Sequence, residues 1–304
     1  MTFLNTRTLK DFYSLSSDLK WMKRRTRGIS TALSTVILSA TIISVSIFSA
    51  YVATDLFEAQ NQQAEYDQAK DLMFALAVAV DSVSLKNGSA SYVRFNPRAG
   101  GPSFVRSWGH IKVELGGTTV IDEDINAVLY RGGNRATVGT TKVLRGNKTA
   151  DSNWYSSSLI LRPGSVPMTW VYTQQYYGAK IWLESARVML TDLGVFHFSK
   201  LLSNGSLVSD VVNIVEIKFI RLLYGYTISG SSILDMKARC EDIEVQQLRF
   251  PGPTLSIRVT LTISNPDFTP STQTYSQVYT ISSGGNPIVV YLSKSDVKVY
   301  MLGG

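Results

Sequence analysis

The groups in this sequence able to do chemistry are few. There are two histidines, His110 and His197, and neither stands in a metal-ligand spacing or beside a second ligand. The single cysteine, Cys240, excludes an internal disulfide and any cysteine-based metal site. Its residue type fits a small buried hydrophobe better than a nucleophile. The acidic triplet Asp122-Glu123-Asp124 offers oxygen ligands of the kind a calcium ion takes, but lacks the glycine and the ligand spacing of a known loop, so it reads as a solvated turn. There is no GxSxG elbow, P-loop or GxGxxG. No catalytic residue, metal site or cofactor is expected, and the chain does not read as an enzyme.

Two further kinds of chemistry are written on the surface. Asn87-Gly88-Ser89, Asn147-Lys148-Thr149 and Asn204-Gly205-Ser206 are N-glycosylation acceptors in turn-like contexts. The aromatic stretch Thr169–Trp182 has residues suited to stacking on sugars, and equally suited to a core or a subunit interface.

The element that dominates the sequence is at its start. Lys23, Arg24, Arg25 and Arg27 crowd together just before Gly28, and from Ile29 to Thr54 no charge occurs. Residues 1–28 hold seven Lys/Arg and two acids, so +5 of the formal +7 sits there and only +2 on the remainder. The basic balance is therefore a leader property, not a nucleic-acid footprint, which needs a basic patch on the folded body. Cations before an apolar run stay cytoplasmic while the run enters the membrane. The run of 26 uncharged residues contains no Gly or Pro, and as a helix it would extend about 39 Å, more than the hydrocarbon layer.

Ten of those residues are Ser or Thr, a composition odd for a lone anchor. Their hydroxyls can bond back to the carbonyl four residues earlier, and small residues four apart, such as Thr31/Thr35/Ser39, let helices approach closely. An ordinary secretory signal fits poorly, because leader and apolar run are both too long. The helix is expected to continue to Asn87-Gly88, with Tyr66, Ala69, Met73, Leu76, Val80 and Val83 forming an apolar stripe that docks on a domain.

Beyond Gly88 the apolar period changes to two. Expected strands are 90–95, 111–115, 118–121, 127–130, 159–162, 169–173, 180–184, 195–199, 212–223, 240–250, 255–264, 273–281, 288–292 and 297–301. Gly116-Gly117 and Arg131-Gly132-Gly133-Asn134 read as hairpin turns. Only 17% of residues are charged, and there are 15 tyrosines, which suits an extracellular β protein. The fold class expected is α+β: a long N-terminal α-helix followed by a C-terminal antiparallel immunoglobulin-like (Ig-like) β-sandwich. The division expected is 1–28 basic leader, 29–88 helix and 89–304 outer β domain.

The leader ending Arg27-Gly28, then Ile29 opening an uncharged helix, resembles the class III signal peptide of archaeal type IV pilins and archaellins. The stretch "RGISTALSTVILSATIISVSIFSAYVATDLFEAQ" follows that family's pattern, and "AEYDQAKDLMFALAVAVDSV" is similar to the second half of crenarchaeal pilin helices. The resemblance covers roughly residues 20–86. It implies cleavage between Gly28 and Ile29 by a prepilin peptidase, insertion in the cytoplasmic membrane as precursor, and export by a membrane assembly platform. The expected product is a helical homopolymer at the archaeal cell surface, with Leu33, Ile37, Ala40, Ile43, Ile47 and Ala50 in the filament core and the β domains as sheath. The fifth mature position is Leu33 where bacterial pilins usually carry Glu, which points to the archaeal branch. The function implied is a non-enzymatic adhesion filament, contacting a surface or another cell, with an archaellum as the alternative. A second alternative is a single-pass surface binding protein that keeps its leader.

Overall fold

The structure is a computed structural model that describes residues 7–147, 155, 158–164, 167–175, 178–201, 207–228, 233–264 and 272–303, with the side chains of residues 7–30, 200–201, 207–208 and 227–228 left aside. Among the described residues one helix, α1 (Arg7–Val83), is followed by thirteen strands: β1 (Ala90–Phe95), β2 (Gly101–Leu115), β3 (Thr118–Arg131), β4 (Lys142–Arg145), β5 (Ile160–Leu161), β6 (Trp170–Gln175), β7 (Ala179–Glu184), β8 (Val188–Leu201), β9 (Leu207–Ile228), β10 (Leu234–Phe250), β11 (Thr254–Ser264), β12 (Thr272–Ser282) and β13 (Ile288–Gly303). The chain divides into two compact units, Met1–Glu58 and Ala59–Gly304.

The helix starts earlier than the sequence implies. It runs through Gly28 from Arg7 for 77 residues, since one glycine costs only about 1 kcal/mol against the good helix formers around it. It ends at Val83, where Ser84 and Lys86 donate to the carbonyls of Val80 and Val83 at 3.1 and 3.3 Å. Gly88 then takes a left-handed φ of 76°, a conformation that costs glycine little. This turn hands the chain to β1, with the Gly88 amide bonded to the Cys240 carbonyl at 3.0 Å.

The β domain has two sheets, ordered β1-β10-β13-β9-β8-β5 and β12-β11-β2-β3-β7-β6-β4. The seven-stranded sheet is antiparallel throughout. The six-stranded sheet is mixed, which corrects the wholly antiparallel expectation. The last strand, β13, enters between β10 and β9, pairing antiparallel with the first and parallel with the second from Ile288↔Asn213 to Leu302↔Ile228. β5 also runs parallel to β8. The coarse architecture, one helix and then a mostly antiparallel β domain, is as expected; these sheet orders do not establish the Ig-like arrangement.

The main core joins both sheets to the later part of the helix. Tyr66, Met73, Leu76 and Val80 on the anticipated stripe are fully buried, alongside Ile111, Val113, Trp182, Phe219, Ile257 and Val290. Pairs of strands read as separate are single: β3 runs straight through Asp122–Asp124, so the acidic triplet lies in a strand and not in a turn. Gly116-Gly117, with φ of 57° and 87°, does form the β2–β3 hairpin. Arg131–Asn134 makes no hairpin, because β3 pairs with β7 while β4, too short and polar to be anticipated, pairs with β6.

Candidate assembly and membrane surface

From Thr31 to Glu58 every described side chain is exposed. Leu33 (62%), Ile37 (58%), Ile43 (59%) and Ile47 (66%) are open to solvent, with Ala40 and Ala50 on the same face. Val36, Leu38, Ile42, Val45, Phe48 and Tyr51 widen the apolar surface around the helix. An exposed apolar surface this continuous marks an interface or a membrane contact. The helix is long and apolar enough to cross a membrane by length and composition.

Five of the hydroxyls on this surface are satisfied within the helix. Thr35 and Ser39 donate to the carbonyls of Thr31 and Thr35, Thr41 and Ser44 to those of Ile37 and Ala40, and Thr54 to that of Ala50, at 2.8–3.0 Å. Leaving water therefore strands none of these five donors, which lowers the cost of placing this surface in an apolar medium. Gly28 and Ile29 lie inside the helix; their side chains fall outside the described residues.

In the second unit, polar groups fasten the helix to the β domain, and these are groups the apolar pattern does not reveal. The Glu65 carboxylate accepts the backbone amides of Arg98, Ala99 and Gly100 at 3.0–3.4 Å and the Tyr130 hydroxyl at 2.8 Å. Burial pushes this carboxyl up, but the Tyr130 hydroxyl and the three amides together hold it below the ordinary range. Gln62 and Gln63 accept the amides of Arg135 and Thr137, and the Tyr66 hydroxyl donates to the Lys180 carbonyl at 3.0 Å. Gly132 and Gly133 lie against Tyr66 and Gln62, where an added Cβ would come within 2.9 and 2.4 Å. At the other end Asp81 meets Arg145 at 2.7 Å and accepts from Thr169. Burial raises its carboxyl despite the nearby guanidinium. Only the folded chain brings these groups together, since their partners lie far away in sequence.

The aromatic stretch 169–182 is core. Trp170, Tyr172 and Trp182 are buried, so they present no face to a sugar. The Trp170 ring lies against a fully buried ion pair, Glu184 with Arg187, whose guanidinium is 3.5 Å from the ring centre. Tyr176 and Tyr177 lie outside the described residues.

His110 bridges two carboxylates on the exposed face of β2 and β3, with Nδ1 3.0 Å from Asp124 and Nε2 2.6 Å from Asp122. Only the imidazolium has a proton for each contact. The hydrogen bonds to Asp124 and Asp122 accordingly raise its pKa. His197 is exposed on β8. No group of three or more His, Cys, Asp or Glu among the described residues is placed to hold a metal ion. Cys240 is buried, as its residue type suggested. Of the glycosylation candidates, Asn87 is exposed beside the helix end. Asn147 is half-buried, with its amide 3.3 Å from the Ser158 hydroxyl. Asn204 falls outside the described residues. No family model, curated protein or solved structure matches the chain.

Proposed function

We propose that the chain is a structural, non-enzymatic subunit of an extracellular type IV pilus-like adhesion filament. The observation that carries this reading is the helical surface from Thr31 to Phe57, apolar, free of charge but for Asp55, and exposed, with back-bonded hydroxyls. Such a helix needs a surrounding medium from which water is excluded. Lipid supplies it to the precursor, and neighbouring helices supply it after assembly. The small residues at four-residue spacing favour close helix packing over a solitary life in lipid.

In this reading a prepilin peptidase cuts at Gly28–Ile29 and an assembly platform extrudes the subunit. Retained Lys23, Arg24, Arg25 and Arg27 would crowd like charges into an apolar bundle at a cost of several kcal/mol each. The β domain forms the sheath, as an Ig-like sandwich elaborated by its mixed sheet, and Asn87 is a glycan site on it. An archaellum would use the same parts.

The deciding experiment is N-terminal sequencing of material sheared from cells. A start at Ile29 in a detergent-free, sedimentable fraction supports the filament. A start upstream of Gly28, with release only by detergent, makes the helix an anchor and overturns the proposal. Ser39→Arg adds a second test. It should abolish filaments while the β domain stays folded, and normal filaments would remove Ser39 from the core.

A further inference from the structure

The two sheets have four edge strands, and three of them are guarded. β5 has two residues. β4 has four, bounded by Lys142 and Arg145. β1 has six and carries Arg94, paired with Asp235 at 2.8 Å. Short length and charge are the usual protections against an edge pairing with another chain. The fourth edge, β12, has neither. Its 11 residues, TQTYSQVYTIS, include no charge, no proline and no glycine. Its ladder with β11 runs from Thr254↔Ser282 to Ser264↔Thr272 without a register shift, so no bulge twists the edge away. Among the described residues its backbone pairs with β11 alone.

We propose that β12 docks against β12 of a second copy of this chain, the two strands running antiparallel about a two-fold axis at Gln277. The occupant follows from the strand's own order. Folded about Gln277, the sequence places Tyr275 opposite Tyr279, Thr274 opposite Thr280, Ser276 opposite Val278 and Thr272 opposite Ser282. Tyr275, Thr274 and Thr272 thus meet residues of their own kind, cross-strand pairs that stabilise antiparallel ladders, while Ser276 meets Val278 and Gln273 meets Ile281. Opposed residues lie on the same face of a sheet, so the register keeps faces matched as well. Tyr275 and Tyr279 pack against the core side, whereas Thr274, Ser276, Val278 and Thr280 are exposed on the other.

Electrostatics permit the same pairing. No charge lies on the strand itself, and the nearest cation on the outer face is Arg258, opposite Val278 on β11. In the order β11-β12-β12-β11 the two copies of Arg258 are three strand spacings apart, about 14 Å, beyond the screening length of about 8 Å. The contact is isologous: each copy uses the same patch and the pair closes. Subunits of one polar filament are related by a screw axis, so this contact would join two filaments. The inference does not rest on polymerisation, and its test is read on the solubilised chain.

The test is cysteine trapping in the full-length chain, held in mild detergent and carrying Cys240→Ala. Thr274→Cys/Thr280→Cys places two thiols opposite their mates in the other copy. Opposed positions lie about 4.5–5.5 Å apart, inside the range a disulfide spans. Six residues separate them along the strand, about 20 Å, too far for a bond within one chain. Mild oxidation should convert most of this variant to a covalent dimer. Tyr92→Cys, exposed on β1, should give little. Adding Val278→Lys, at an exposed position beside the axis, should suppress the dimer. A yield no greater than that of Tyr92→Cys, or one unchanged by Val278→Lys, overturns the proposal. Failure here leaves the N-terminal sequencing result untouched, so the two readings fail separately.

Discussion

Ile43→Ala separates a packed helical core from a lipid anchor, because it tests what surrounds the side chain and not whether the helix is apolar. Ile43 is 59% exposed on the uncharged part of the helix. In lipid, mobile acyl chains close around the smaller alanine. The loss is then only the transfer difference, under about 1 kcal/mol on the membrane-insertion scale. In a bundle of helices the neighbours relax incompletely and a cavity is added to the transfer loss, giving about 2–5 kcal/mol per subunit. At 1.4 kcal/mol per tenfold, that is about a 30- to 4,000-fold shift in the subunit's dissociation equilibrium. The assay is the sedimentable fraction of sheared material across a guanidinium series. Leu193→Ala on the exposed part of β8 serves as the control. Ile43→Ala should move dissociation to lower denaturant, with membrane-inserted precursor unchanged. Dissociation that superimposes on the wild type would refute burial of Ile43 in a packed core.

Three further expectations concern the β domain. Arg187→Met leaves the Glu184 carboxylate buried without its ion partner and should cost about 3–5 kcal/mol, while adding Glu184→Gln should recover much of it; urea unfolding followed by tryptophan fluorescence measures both. Glu65 is held below the ordinary carboxylate range in the folded chain. Its contribution is therefore present above its unfolded pKa and is lost as pH falls through the folded value; Glu65→Gln should flatten that acid limb of the unfolding midpoint. His110 titrates above its ordinary value when folded, so its contribution is full below the unfolded value of about 6.5 and is lost as pH rises through the folded one. His110→Gln should remove that loss, and a wild-type midpoint independent of pH across this window would refute the doubly bridged imidazolium.

How much of this was legible in the sequence depends on whether a feature is local. The helix, its uncharged surface, the back-bonding of Thr35, Ser39 and Thr41, and the stripe from Tyr66 to Val83 follow from spacing along one chain segment. So do the Gly116-Gly117 hairpin and the alternation of β11. The sequence pattern splits β3 in two around Asp122–Asp124, because charge in a strand facing solvent looks the same as charge in a turn. What tertiary structure decided is everything that depends on distant partners. β13 lies between β9 and β10, parallel to one and antiparallel to the other, a pairing that only the folded sheet defines. Glu65 becomes a fastener only when residues 98–100 and Tyr130 fold over it, and Arg187 becomes a core residue only beneath Trp170. β12 becomes an unguarded edge only because, among the described residues, no second strand pairs with its outer side. Periodicity fixes which face a residue takes on its own element. The identity of the neighbour across that face is settled by packing, where long-range pairings compete for the same apolar area and the same backbone donors.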